Sequence, residues 1–292
     1  MTDLSKFLTR AESLVGRLER LLPALPGATD WQASIAFRWR RKDGRGHIEP
    51  VSHVHRISLR DLRGIDDQKH RVEQNTRQFV EGYPANNVLL TGARGTGKSS
   101  LVKALLNKYA GKGLRLIEVE KQDLIDLPEI VDIIGKRPER FVIYCDDLSF
   151  EADEPGYKAL KVVLDGSISA ASDNCLIYAT SNRRHLMPEY MSENLEYKHV
   201  GEEIHPGETT EEKVSLSERF GIWVSFYPFD QDDYLKIVAV WLEHFKAPDA
   251  HSDVVQKASL QWALTRGSRS GRVAWQFARD WAGKQKLEGS KR

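Results

Sequence analysis

The sequence predicts an α/β protein: a parallel sheet flanked by helices, preceded by a helix and a β-hairpin and followed by a helical module. Three observations carry that reading. From about His55, short apolar runs bounded by polar or turn residues alternate with helical segments, the pattern of buried parallel strands joined by crossovers. One such run, residues 87–91, opens into a glycine-rich turn and then a helix through Leu101, Ala104 and Leu105. After Pro228 the periodicity is helical throughout.

At the start, Leu4, Leu8, Ala11, Val15, Leu18 and Leu22 recur at steps of four and three, an apolar stripe at helical period ended by Pro23 and Pro26-Gly27. Such a helix packs on the body of the protein or binds a partner, and the first is the expectation. Residues 33–57 read as a hairpin, with Ile35, Phe37 and Trp39 alternating with Ala36, Arg38 and Arg40 around an Asp43-Gly44 turn. Pro50 on the returning strand marks an edge. Strands follow at 87–91, 114–119, 141–145, 175–179 and 222–226, with helical segments between several of them. Asp230 is placed to cap a helix carrying Leu235, Val238, Trp241, Leu242 and Phe245, with two more helices near 254–265 and 272–282 and a solvated tail over 286–292. The expected organisation is an N-terminal helix and hairpin region (1–54), an α/β domain (55–228) and a helical lid (229–292).

Composition excludes several classes. With 292 residues, 40% of them hydrophobic, the chain is long enough for one large or two modest domains. A formal net charge of +1 argues against both a basic nucleic-acid coat and an acidic solvating protein. Cys145 and Cys175 are the only cysteines and have no CxxC spacing, which speaks against a disulfide scaffold or cysteine zinc site and fits a reducing compartment. No secretory signal is evident at the N-terminus, and apolar runs such as 237–242 are too short to span a bilayer. A cytoplasmic protein without membrane insertion is expected.

The chemistry is concentrated in Gly92-Ala93-Arg94-Gly95-Thr96-Gly97-Lys98-Ser99, which matches G-x-x-x-x-G-K-[ST] between a strand and a helix. Glycines let the backbone wrap around phosphates, Lys98 brings a point charge to the β- and γ-phosphates, and the Ser99 hydroxyl suits Mg²⁺. Ser100 opens the following helix, whose positive dipole end favours the same anion. Downstream, Phe141-Val142-Ile143-Tyr144-Cys145-Asp146-Asp147 is an apolar strand ending in two carboxylates, at the distance of a Walker B element. Asp146 would hold Mg²⁺, and Asp147 could polarise an attacking water. The next strand ends in Thr180-Ser181-Asn182, where Asn182 could orient that water. Arg219, just before the last strand, reads either as an arginine finger for a neighbouring subunit or as a surface ion pair. Arg272, with Arg269 as its rival, begins a helix from which it could reach back to the phosphates. Arg38, Arg40 and Arg41 surround Trp39 on the hairpin, either as a nucleic-acid contact or as a basic solvent face.

In the order of these elements the chain resembles the AAA+ ATPase superfamily over about residues 55–281. Within it, the chain is especially similar to a bacterial family of AAA+ ATP-binding proteins, domain of unknown function 815. The residues that carry this are Cys145-Asp146-Asp147-Leu148-Ser149-Phe150, His205-Pro206-Gly207-Glu208 and Ser270-Gly271-Arg272. The resemblance implies a five-stranded sheet in the order 5-1-4-3-2, a helical lid, and ATP with Mg²⁺ bound between them. It implies that Leu59-Arg60-Asp61-Leu62-Arg63-Gly64-Ile65-Asp66 lines the adenine pocket, with Gly64 and Ile65 at the nucleotide. It also implies that Asn182 is sensor 1, Arg219 the arginine finger in trans and Arg272 sensor 2 of a homo-oligomer, ring-shaped or formed on ATP binding. One departure is chemical: most AAA+ proteins carry Glu where this chain has Asp147, so the shorter side chain is expected to require another water position, a role for Glu151, or slow hydrolysis. The expected function is an ATPase that remodels or loads a macromolecular partner. A nucleotide-gated binding module with slow hydrolysis is the alternative, and a P-loop kinase is a third.

Overall fold

The computed structural model describes residues 28–42, 44–150, 154–165, 173–183, 198–200, 203–205 and 216–289, together with 5, 7–8, 10–15 and 186. Strands β1 (Ala36–Lys42) and β2 (Arg45–Pro50) come first. Helix α1 (Asp66–Val80), β3 (Val88–Gly92), α2 (Lys98–Tyr109), β4 (Leu114–Glu118), α3 (Leu127–Ile134), β5 (Arg140–Cys145), α4 (Pro155–Asp165) and β6 (Cys175–Ser181) follow. A short antiparallel pair, β7 (Lys198–Val200) and β8 (Glu203–His205), precedes β9 (Ile222–Phe226). Helices α5 (Gln231–His244), α6 (Asp253–Thr265) and α7 (Gly271–Gly289) then follow over the region expected to form a lid.

The main sheet has seven strands in the order β2-β1-β4-β5-β6-β3-β9. From β9 to β4 this is the expected 5-1-4-3-2 arrangement, parallel at every pairing. The hairpin adds the other two strands, because β1 pairs in parallel with β4 at Ala36↔Leu116 and Phe37↔Ile117. Residues 36–50 therefore extend the sheet instead of standing apart from it. The reason is burial: Phe37 and Trp39 are fully buried among the sheet's apolar residues, and the hairpin covers what would otherwise be an open β4 edge. Pro50 sits on the outer strand, where a missing N–H costs no ladder bond.

Alternation along each strand divides the core into two faces. Val88, Leu90, Val142, Tyr144, Tyr178, Val224 and Phe226 face α1 and α2 and continue into the apolar sides of α5, α6 and α7. Leu89, Ile117, Ile143, Ile177 and Ala179 face the other way, onto α3 and α4. Strand ends are thus held rigidly between helices, with the loops after β3, β5 and β6 meeting at one edge, the position where open α/β sheets place ligands.

Two expectations change. Of the described residues of the N-terminal stripe, Leu8 and Val15 are exposed and only Ala11 is half-buried, which departs from a stripe packed on the body. Helix α7 continues to Gly289, carrying helix into the segment expected to be a solvated tail. Asp230 caps α5 as expected, its carboxylate accepting from the Asp233 N–H at 2.8 Å. Burial pushes the Cys145 and Cys175 thiols up to about 12.

Candidate functional site

The glycine-rich loop leaves β3 through a gap only glycine fits. Gly92 has φ +121°, and a Cβ there would lie 1.9 Å from the Phe226 carbonyl oxygen on β9. Gly95, at φ +74°, lies against the lid, where a Cβ would meet Ser270 Oγ at 2.9 Å and its carbonyl accepts from the Gly271 N–H at 2.8 Å. The loop then enters α2 at Lys98.

Lys98 is only 6% exposed. Its ammonium donates to the carbonyls of Gly92 (2.7 Å) and Ala93 (2.8 Å) and to Asn182 Oδ1 (3.1 Å). Burial lowers its pKa from the ordinary lysine value, Asp146 and Asp147 oppose that shift, and Arg272 and Arg94 add to it. Ser99 Oγ donates to Asp146 Oδ1 at 2.8 Å. The same carboxylate oxygen accepts from Tyr144 (2.7 Å) and from Thr180 Oγ1 (2.5 Å). Burial alone would raise the Asp146 pKa, but the hydrogen bonds from Thr180, Tyr144 and Ser99 hold it below the usual value. Asp147 turns into the left-handed region at φ 51°. Its N–H donates to Thr180 Oγ1 at 2.9 Å, and its Oδ1 accepts from Asn182 Nδ2 at 2.5 Å. One hydrogen-bonded chain therefore joins the loop lysine and serine to both strand-end carboxylates.

These groups line a cleft of about 790 Å³ between the sheet edge and the lid. Arg94, Gly95, Thr96, Gly97, Lys98, Ser99, Ser100, Asp146, Asp147 and Asn182 form its polar wall. His55, Ile57 and Ile65 enter from the segment before α1, and Phe229, Ile237, Trp241, Arg272 and Trp275 from the lid side. Asn107 near the end of α2 fixes the first of these segments, donating at 2.9 Å to the carbonyls of both His55 and Ile57.

Most of the expected site residues converge here. Gly92 and Ala93 contribute carbonyls behind the lysine, while Gly64 lies outside the lining against Phe229. Arg272 lines the cleft, whereas Arg269 is exposed and does not. Arg219 is absent from the cleft and pairs with Asp165 at 2.5 Å, its side chain 22% exposed. Arg38, Arg40 and Arg41 also lie away from it, opposite Glu118 (2.7 Å), Glu120 (2.6 Å) and Asp126 (3.5 Å). Glu151 and residues 206–208 lie outside the described residues, as does Asp43. Sequence reasoning missed Tyr144, Thr180 and the apolar lid wall. Tyr144 had a signal, since it stands two residues before Asp146, which follows directly on the end of β5. Ile237, Trp241 and Trp275 had none, because apolar residues on a helix read simply as core.

The residues fit a nucleotide with a divalent cation. Ser99 and Asp146 are hard oxygen donors of the kind Mg²⁺ takes, and the loop backbone with Lys98, Arg94 and Arg272 matches the charge of a polyphosphate. A triphosphate would supply the high-energy anhydride; this chain's groups would hold it, neutralise it and keep a water in line.

Comparison with known proteins bears on the fold. A single-residue variant of RuvB from Thermotoga maritima is similar at a TM-score of 0.52 and 14% identity, over 77% of this chain and 64% of that one. The Aeropyrum pernix Orc1 protein, solved in complex with DNA, is similar at 0.52 and 16% identity, over 73% of this chain and 58% of that one. The chain thus spans less than two thirds of either structure, and the shared feature is the AAA+ fold. No curated protein matches the sequence. The family model described as "Protein of unknown function (DUF815)" matches residues 32–285, from ahead of the hairpin through the cleft and into the last lid helix, and the chain belongs to that family.

Proposed function

We propose that the cleft binds Mg-ATP and hydrolyses it, in a cytoplasmic AAA+ ATPase that assembles with copies of itself to remodel or load a macromolecular partner. The observation that carries this reading is the hydrogen-bonded chain from Ser99 through Asp146, Thr180, Asp147 and Asn182 to Lys98, faced by Arg272 across the cleft. In this reading Lys98 and the loop N–H groups hold the phosphates, and Ser99 and Asp146 hold Mg²⁺. Asp147 takes up the proton of the attacking water and Asn182 fixes that water's position. Arg272 acts on the nucleotide of its own subunit and Arg219 on that of a neighbour. Because Arg38, Arg40 and Arg41 each already face a carboxylate, a nucleic-acid contact is disfavoured at these three residues. The test is binding of a fluorescent ATP analogue together with phosphate release. Lys98→Ala is expected to abolish or severely weaken binding, and equal binding by that variant would overturn the assignment.

A second reading, a nucleotide-gated module with slow hydrolysis, is favoured by one observation. The short Asp147 side chain is already engaged by Asn182 at 2.5 Å. Single-turnover hydrolysis separates the two: prompt conversion of bound ATP with release of phosphate supports the ATPase, and stably retained ATP supports the module.

A further inference from the structure

A hydroxyl has one proton to give, and Thr180 has been left no choice of where to send it. Its Oγ1 accepts the Asp147 N–H at 2.9 Å, so its proton points to Asp146 Oδ1, 2.5 Å away. Thr180 is 2% exposed and held in β6, whose ladder with β5 sets the distance to both carboxylates. We propose that Thr180 is the positioning residue of this site, aiming both carboxylates through one oxygen atom; this rests on the Mg-ATP reading above.

Two consequences follow from the geometry. Thr180, Tyr144 and Ser99 all donate to Oδ1 of Asp146, and among the described residues none donates to Oδ2. The carboxylate is thereby turned so that Oδ2 is the oxygen offered to a cation or its water. On the other side, the hydrogen bond to the Asp147 N–H holds that residue at φ 51°, a conformation Asp adopts more readily than most residues but not without local support. The turn sets where the short side chain emerges and brings it to Asn182. Thr180 thus couples the cation-binding carboxylate to the water-facing one, and Tyr144 reinforces the first of them alone.

The experiment measures the affinity of the full chain for N-methylanthraniloyl-ATP in Mg²⁺ and in EDTA, and the Mg²⁺ concentration for half-maximal signal. Mn²⁺ binding followed by electron paramagnetic resonance serves as an independent readout. Thr180→Val keeps the shape of the side chain and removes its hydroxyl. It is expected to raise the Mg²⁺ requirement by about tenfold, the usual effect of losing one hydrogen bond to a charged group, and Thr180→Ser is expected to restore it. Tyr144→Phe is expected to raise the Mg²⁺ requirement as well, as a separate check on Asp146. If Thr180→Val does not fold, Thr180→Ala is measured in its place. A Mg²⁺ titration matching wild type in the folded valine or alanine variant, or a loss that serine does not rescue, overturns the positioning role. Failure of the wild-type protein to bind the analogue overturns the nucleotide reading itself.

Discussion

Asp147 shows how much one residue can be shaped by its neighbours. A non-glycine residue at φ 51° costs about 1–3 kcal/mol unless its surroundings hold it, and here Thr180 and Asn182 do so. The carboxylate lies within reach of the cleft but is tied to the amide that also holds Lys98. Removing its charge should leave the proposed phosphate contact of Lys98 and the proposed Mg²⁺ contact of Ser99 in place. Asp147→Asn is therefore expected to bind ATP with affinity near wild type and to retain it unhydrolysed. The measurement is nucleotide content after incubation with ATP; normal phosphate release by this variant would exclude Asp147 as the group that activates water and turn attention to Glu151.

At the scale of the element, the hairpin is held by an indole. Trp39 is fully buried and donates from Nε1 to Asp126 Oδ2 at 2.9 Å. Its ring lies across Gly46 on the partner strand so closely that a Cβ there would sit 1.8 Å from Cζ2. Gly46→Ala must push the indole aside or open the hairpin, and overpacking of this kind costs about 1–3 kcal/mol. A lowered urea midpoint checks it; a midpoint equal to wild type would show that the ring relaxes freely. The turn into β5 makes a second, pH-dependent prediction. Arg137 donates to both oxygens of Glu139, at 2.8 and 3.0 Å, and these hydrogen bonds hold the Glu139 carboxyl below its ordinary pKa. A carboxyl depressed on folding contributes stability that is complete above its unfolded pKa of about 4.3 and is lost as pH falls through the folded value. The stability gap between wild type and Glu139→Gln should narrow below about pH 4. A gap that stays constant through the acid range, measured by denaturant titration at each pH, would contradict this.

At the scale of the whole molecule, the cleft needs sheet and lid together. The Gly95–Gly271 hydrogen bond joins the glycine-rich loop to α7, and the apolar core runs without interruption from α1 and α2 into α5 and α7. Arg219 belongs to a different surface, beside Asp165 and away from the cleft of its own chain. If it serves a neighbour's nucleotide, its loss should lower turnover by about 10³–10⁵-fold, while a surface ion pair would contribute only about 0–1 kcal/mol to stability. Arg219→Ala is expected to bind ATP and lose turnover, and wild-type specific activity should rise with protein concentration. Mixing it with Lys98→Ala should recover part of the activity, since one subunit then brings the site and the other the arginine. Full activity of Arg219→Ala at every concentration would rule out a role in trans.

How much of this was legible beforehand depends on whether the determining physics is local in the chain. The loop from Gly92 to Ser99, the strand ending in Asp146 and Asp147, and the cap at Asp230 could all be read directly, because glycine conformations, apolar runs and capping side chains act over a few residues. The alternation of strands and helices was enough to predict a parallel sheet for the same reason. The hairpin's place in that sheet was not legible, because it depends on β1 meeting β4 some eighty residues later and on carboxylates at 118, 120 and 126 meeting its arginines. Nor was Thr180, an ordinary strand residue until the β5–β6 register puts its hydroxyl between two aspartates. Local chemistry wrote the motifs into the sequence; only the fold, by bringing distant backbone into contact, decided which side chains aim them.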